Sequence, residues 1–176
     1  MVRNKMIVHL ILLWCSLFYT SADEWCATKV ASGSHTLSAG TCTVSSTLSI
    51  ATNTVLSISR FGEGDAILTA TANMGTLFDV NGDLSLTNLI IQDLVNTRAV
   101  TATRMTHQYR PKIILIDSIF RRNTVIFSDD NILTQKGGVL QLTEADATIK
   151  NSVFDSNSAF SGGGKFLLFV CVHFLQ

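Results

Sequence analysis

Asp83-Leu84-Ser85-Leu86-Thr87-Asn88-Leu89-Ile90-Ile91 and Asp146-Ala147-Thr148-Ile149-Lys150-Asn151-Ser152-Val153-Phe154 read as two copies of one element, 63 residues apart. The same shift, without a gap, lays Gly75 on Gly138 and Leu77 on Leu140. A partial copy lies between them, where Asp117-Ser118-Ile119-Phe120 matches Asn151-Ser152-Val153-Phe154. Each copy is a short run of alternating apolar and polar residues that ends at Asn or Asp. That is the pattern of a strand followed by a corner, since Asn tolerates the left-handed conformation of a sharp bend. A 63-residue shift fits three coils of about 21 residues each. One such coil cannot bury its own apolar side chains. Stacked coils place like over like, about 4.8 Å apart. The sequence therefore predicts an all-β chain, a right-handed single-stranded parallel β-helix. Leu84, Leu86, Ala147 and Ile149 are expected to point inward. Asn88 and Asn151 are expected at corners, with their amides stacked from coil to coil.

The same punctuation runs outward from this stretch. Thr47-Leu48-Ser49-Ile50, Val55-Leu56-Ser57-Ile58 and Ala66-Ile67-Leu68-Thr69 are strand-like, and Gly62, Gly64-Asp65, Asn81-Gly82-Asp83 and Ser128-Asp129-Asp130-Asn131 break them. About five or six coils fit between Thr43 and Gly164. Composition agrees. Apolar residues make up 47% and charged residues only 15%, and the polarity is carried by Ser, Thr and Asn, which suit a pleated surface better than a helix. The formal net charge is zero, so no global electrostatic case exists for nucleic acid.

Two further motifs recur. Phe120-Arg121-Arg122-Asn123 and Phe154-Asp155-Ser156-Asn157 both read F-x-x-N, accompanied by Gly137-Gly138-Val139-Leu140 and Gly162-Gly163-Gly164. In this the chain resembles the repeats of the polymorphic outer membrane proteins, within the wider class of pectate-lyase-like right-handed β-helices. The match runs best from Ile149 to Gly164 and more weakly from Gly75. The resemblance implies the β-helix fold and, in the bacterial group, adhesins carried on a membrane barrel. Only the passenger-like part has a counterpart here.

The N-terminus has the three-part layout of a secretory signal peptide. Arg3 and Lys5 precede the apolar run Met6 to Tyr19, and Thr20-Ser21-Ala22 supplies small residues before Asp23-Glu24. The run is shorter than the roughly 20 residues that span a bilayer. Cleavage after Ala22 removes two of the 13 basic residues and leaves 11 against 13 acidic ones. The expected organisation is a signal peptide at 1–22, a cap segment at 23–42, the β-helix at 43–164 and an apolar tail at 165–176. Cys26 and Cys42 are expected to pair in an oxidising compartment and staple the cap over the first turn. The tail breaks the repeat pattern, so the β-helix is expected to be truncated at its C-terminal end. Either the tail is one last apolar rung, or it is non-native sequence read from an intron, because Gly164-Lys165-Phe166 can be encoded by codons containing a splice-donor consensus.

A catalytic constellation is sought directly, because fold alone does not license one. Asp129-Asp130 superficially resembles the aspartate pair of polygalacturonases, but no Gly-His-Gly follows, and the only R-x-K, Arg110-Pro111-Lys112, precedes it. Asp83 and Asp146, taken as three coils apart, would lie about 14 Å from each other, too far to share one ion. His35 and His107 have no evident catalytic partner. No metal site and no cofactor are expected. The segment Asn96 to Lys112 interrupts the repeat and carries Arg98, Arg104, Arg110 and Lys112 with no acidic residue, alongside His107 and Tyr109. These six are the candidate binding residues, suited to anionic glycans or another acidic surface. The expected function is a secreted or cell-surface module for adhesion, recognition or structure. The alternative is a pectate-lyase-like polysaccharide lyase or glycoside hydrolase whose catalytic residues lie in missing sequence. Exposed strand edges would also favour self-association.

Overall fold

The computed structural model describes residues 24–105, 108–125 and 139–159, together with the backbone of 167–169 and 172–174. A short helix, α1 (Glu24–Thr28), is followed almost wholly by strands. The first coil contains β1 (Gly33–Leu37), β2 (Gly40–Val44) and β3 (Leu48–Ile50). The second contains β4 (Val55–Arg60), β5 (Ala66–Ala70) and β6 (Gly75–Val80), and the third β7 (Asp83–Thr87), β8 (Ile90–Gln92) and β9 (Thr97–Thr103). The fourth has β10 (Lys112–Ile116), β11 (Ile119–Arg121), β12 (Thr124–Val125) and β13 (Leu140–Thr143). The fifth has β14 (Asp146–Lys150), β15 (Val153–Asp155), β16 (Ser158–Ala159) and β17 (Leu167–Phe169), and β18 (Val172–Phe174) opens a sixth.

Three long parallel sheets and one two-stranded sheet result, in the orders β1-β4-β7-β10-β14-β18, β2-β5-β8-β11-β15, β3-β6-β9-β13-β17 and β12-β16. Every strand pairs with its counterpart one coil away, so the molecule is a parallel β-helix. The alternation read from sequence sets its inside. Leu56, Ile58, Leu84, Leu86, Ile113, Leu115, Ala147 and Ile149 stack on the inner side of the first sheet, all nearly inaccessible. Burial of each large side chain is worth about 1.5–3 kcal/mol, and these ladders join one continuous core.

The register corrects the coil length. Asp83 pairs with Lys112 and Lys112 with Asp146. The 63-residue shift therefore spans two coils, of 29 and 34 residues, and not three of 21. The partial copy at Asp117 is the intervening coil itself. Asp83 and Asp146 lie about 9–10 Å apart by strand spacing, with Lys112 between them. In the third sheet the ungapped shift slips by one residue. Phe78 stacks on Val100 and Val100 on Leu140, so Leu77 is not the counterpart of Leu140. The other half of that expected alignment, Gly138, lies outside the described residues.

The corners follow the Asn reading, but the amide stack does not. Asn88, Asp117 and Asn151 occupy one corner in successive coils with φ of 55°, 50° and 49°. Asn88 and Asn151 are exposed there, and an exposed amide does not require a stacked partner. Stacked amides occur elsewhere. Asn123 Nδ2 donates to Asn157 Oδ1 at 3.0 Å, and Asn96 Nδ2 donates to Asn73 Oδ1 at 2.8 Å. The first of these involves the Asn of both F-x-x-N motifs. Its Phe residues form a second ladder, with the rings of Phe120 and Phe154 parallel and 4.9 Å apart. The motif is thus one apolar and one polar rung contact, three residues apart around a corner.

The solenoid also begins earlier than expected, at Gly33 rather than at Thr43, because β1 and β2 already pair with the second coil. The cap proper is α1. Trp25 is 2% exposed and its indole N–H donates to the Val30 carbonyl. A disulfide joins Cys26 to Cys42 in β2, with Cα atoms 5.7 Å apart. Residues 1–22 and the side chains of the tail lie outside the described residues. The backbone of β17 and β18 pairs on β13 and β14. Among the described residues no helix is long and apolar enough to cross a membrane.

Candidate functional site

One connection differs from its equivalents. The turn from the third sheet back to the first uses residues 51–54 between β3 and β4, 81–82 between β6 and β7, and 144–145 between β13 and β14. Between β9 and β10 it uses residues 104–111. The short turns are tight: a Cβ at Gly82 would strike the carbonyl oxygens of Ala51 and Thr54. The described residues of the long turn instead reach across coils.

Its chemistry is set by neighbours that are distant in sequence. Arg104 Nη1 donates to Glu144 Oε2 at 2.9 Å, toward the fifth coil. Arg110 Nη1 stands 3.8 Å from Asp146 Oδ1, with both side chains about half exposed. Tyr109 reaches the other way, and its hydroxyl donates to Asp83 Oδ1 at 2.5 Å. The Lys112 backbone N–H donates to the same oxygen at 3.1 Å. Burial, reinforced by the Asp83 carboxylate, pushes the Tyr109 phenol up to about 12. The base of the turn is therefore braced over three coils. Met105, 70% exposed, and the half-exposed Arg110 are presented to solvent.

The six candidate binding residues thus divide. Arg104, Tyr109, Arg110 and Lys112 are brought together at this turn. His107 lies outside the described residues. Arg98 does not belong to the turn: it sits within β9, is 6% exposed, and donates to Thr101 Oγ1 at 3.3 Å. Burial pushes its guanidinium below the usual value. The stretch from Asn96 to Thr103 is expected to interrupt the repeat, but Thr97–Thr103 is a strand of the third sheet, with Thr97, Arg98 and Val100 to Ala102 in register with β6 and Val100 to Thr103 in register with β13. Its β-branched and small residues overrode the charge as the determinant of structure.

The segment contains no acid, yet its field is not purely positive, because Asp83, Glu144 and Asp146 come from adjacent coils. Elsewhere, Arg122 and Asp93 form a bidentate pair with both contacts at 2.8 Å, and Arg121 Nε donates to Gln92 Oε1 at 2.7 Å. The hydrogen bond from Arg122 holds the Asp93 carboxyl below its ordinary value. The signal for both contacts was present in the sequence. Gln92 to Arg121 and Asp93 to Arg122 repeat the 29-residue offset of Asn88 to Asp117.

His35 lies in β1, with Nε2 2.7 Å from the Ser32 carbonyl and its ring beside Trp25. Asp129-Asp130 falls outside the described residues. Among the described residues there is no group of three His, Cys, Asp or Glu side chains placed to hold a metal ion. A cleft of about 90 Å³ opens beside the cap, lined by Cys26, Leu37, Ser38, Gly40, Cys42 and Ile67 among others. It contains no ionisable side chain. Comparison with family models, curated proteins and solved structures finds no match to this chain.

Proposed function

We propose that this chain is a secreted or cell-surface β-helix module for adhesion, recognition or structure, and that the turn at 104–111 is its contact segment. The observation that carries this reading is the contrast in turn length. Equivalent connections close over residues 51–54, 81–82 and 144–145, whereas this one presents Met105 and Arg110 from a base anchored by Tyr109–Asp83 and Arg104–Glu144. Loops held by a rigid scaffold are where such folds carry binding. Four of the described carboxylates, Asp83, Asp93, Glu144 and Asp146, each face a donor from a neighbouring coil. Carboxylates engaged in such pairs favour binding over acid–base chemistry on a polysaccharide. The signal-like N-terminus and the disulfide favour an oxidising, extracellular setting. An anionic glycan is the partner chemistry that suits Arg110 and Lys112, since a guanidinium presents paired donors to a carboxylate or sulfate.

The test is a triple variant, Met105→Ser, Arg110→Ala and Lys112→Ala, which leaves the braces at Arg104 and Tyr109 intact. Binding to immobilised heparin and polygalacturonate is measured alongside urea unfolding. The expected result is at least a tenfold loss of glycan binding, with a stability change within about 0.5–1 kcal/mol, as for exposed positions. Undiminished binding by the variant would remove this turn as the contact segment.

A further inference from the structure

The three long sheets differ on their outer faces. In the third sheet an outward row reads Ser49, Asp79, Thr101 and Gln141. In the first, Ser57, Ser85 and Thr148 share a row with one aliphatic residue, Ile114. The second sheet is different. Its outward row reads Ile67, Ile90, Ile119 and Val153, in register over four successive coils.

Alternation along each strand puts this row outside, because Leu68, Ile91 and Phe120 beside it point into the core. Ile90 is 7% exposed but does not belong to the core cluster, and Ile67 and Ile119 flank it on the surface. Val153 is 52% exposed. A polar row runs alongside, two residues further on each strand: Thr69, Gln92, Arg121 and Asp155. A contiguous apolar row with a polar rim marks a surface that a partner covers.

We propose that a second copy of this chain docks face to face on the outer side of the second sheet. The occupant follows from the way the two rows repeat. A twofold axis parallel to the strands, between the third and fourth coils, reverses the order of coils and keeps each row opposite itself. Ile90 then faces Ile119 of the second copy, and Ile67 faces Val153. In the polar row Gln92 faces Arg121, and the Thr69 hydroxyl faces the Asp155 carboxylate. At the adjoining corner Asp93 and Arg122, paired across the third and fourth coils, exchange levels, so each carboxylate comes level with a guanidinium of the other copy. An axis through the fourth coil would instead set Arg121 against Arg121.

Sheets packed in this way lie about 10 Å apart, and the arrangement is isologous, so it closes as a dimer. The face is four strands wide and three residues deep, below the roughly 800 Å² per partner of a standard stable interface. The dimer is therefore weak and exchanges with monomer. The inference is independent of the glycan-binding reading, which uses the turn at 104–111.

The test is sedimentation velocity over about 1–500 μM, the range of weak interfaces. The background replaces Cys15 and Cys171 with Ser, so that these thiols form no intermolecular disulfide. Circular dichroism on each sample checks the fold. The expected result is a reversible monomer–dimer equilibrium that Ile119→Asp weakens at least tenfold. Thr69→Asp, which sets a carboxylate against Asp155, should weaken it at least threefold, and Thr69→Arg should tighten it at least threefold. Ser57→Asp, on the outer face of the first sheet, should leave it unchanged. A chain that stays monomeric throughout overturns the proposal, as does a dimer that is indifferent to Ile119→Asp. Thr69→Asp and Thr69→Arg acting in the same direction overturn it too, because the twofold sets position 69 against a carboxylate.

Discussion

Replacing Asn123 with Ala is expected to destabilise the fold by about 2–4 kcal/mol, out of proportion to the few atoms removed. Asn123 is inaccessible to solvent. Its Oδ1 accepts the Leu94 N–H at 3.1 Å, and its Nδ2 donates to the Ile91 carbonyl at 3.1 Å and to Asn157 Oδ1 at 3.0 Å. Truncation leaves the Leu94 N–H without its acceptor in a dry interior, at a cost of about 1–3 kcal/mol for that group alone. It also strips one of the two donors from Asn157 Oδ1, because the Asn123 backbone N–H remains at 3.0 Å. The third coil shows what a hydrophobic residue at this place involves. Leu94 fills the position by packing, but it relies on Asn123 to satisfy its own amide. Asn88→Ala is the contrasting control, an exposed corner where only the left-handed preference is lost, for about 1 kcal/mol. Urea unfolding should show a large drop in midpoint for Asn123→Ala at unchanged slope, and a small one for Asn88→Ala. Equal effects would mean that the buried amide ladder does not hold the coils.

Phe120→Ala is expected to cost about 3–5 kcal/mol, as for other buried aromatic truncations. The ring is fully buried between Ile91 below and Phe154 above. Its stacking on Phe154, 4.9 Å away and within 4° of parallel, adds about 0.5–1.5 kcal/mol to the area term. Backbone pairing on both sides keeps the coils from collapsing into the void, so the cavity cost is expected at its upper range. Phe154→Ala should cost less, because that ring is only partly buried. The order of the two unfolding midpoints checks the register, since a slip of one residue would turn Phe120 outward.

The fold was legible because its repeat is carried by side chains whose roles are local. Asp83, Leu86, Asn88, Ile90 and Ile91 each have a counterpart at the same shift, and each marks an inward position, a corner or a strand end. The number of coils in that shift was not legible. A 34-residue coil hides an insertion between Val125 and Leu140, and only backbone pairing identifies Lys112 as the partner of both aspartates. The candidate site was half legible. Net charge along Asn96 to Lys112 pointed to a basic loop, yet Arg98 belongs to a rung, and the acids that face Arg104, Arg110 and Tyr109 come from coils before and after. Contacts of that kind follow from stacking and leave no mark in a local window. The F-x-x-N motif was found as a resemblance, and its physical meaning, a ring stack beside a buried amide ladder, is a property of two coils together.

The two-coil register is tested most directly by placing cysteine pairs on the outer face of the first sheet in a background in which all four native cysteines, Cys15, Cys26, Cys42 and Cys171, are replaced, and treating them with a crosslinker of short reach. Ser85 is in register with Ile114, and Ile114 with Thr148. The account predicts that pairs at 85 and 114, and at 114 and 148, crosslink across about 4.8 Å, while the pair at 85 and 148, about 9–10 Å apart, does not. Failure of the pairs at 114, or efficient crosslinking of 85 to 148, would contradict the stacked parallel β-helix described here.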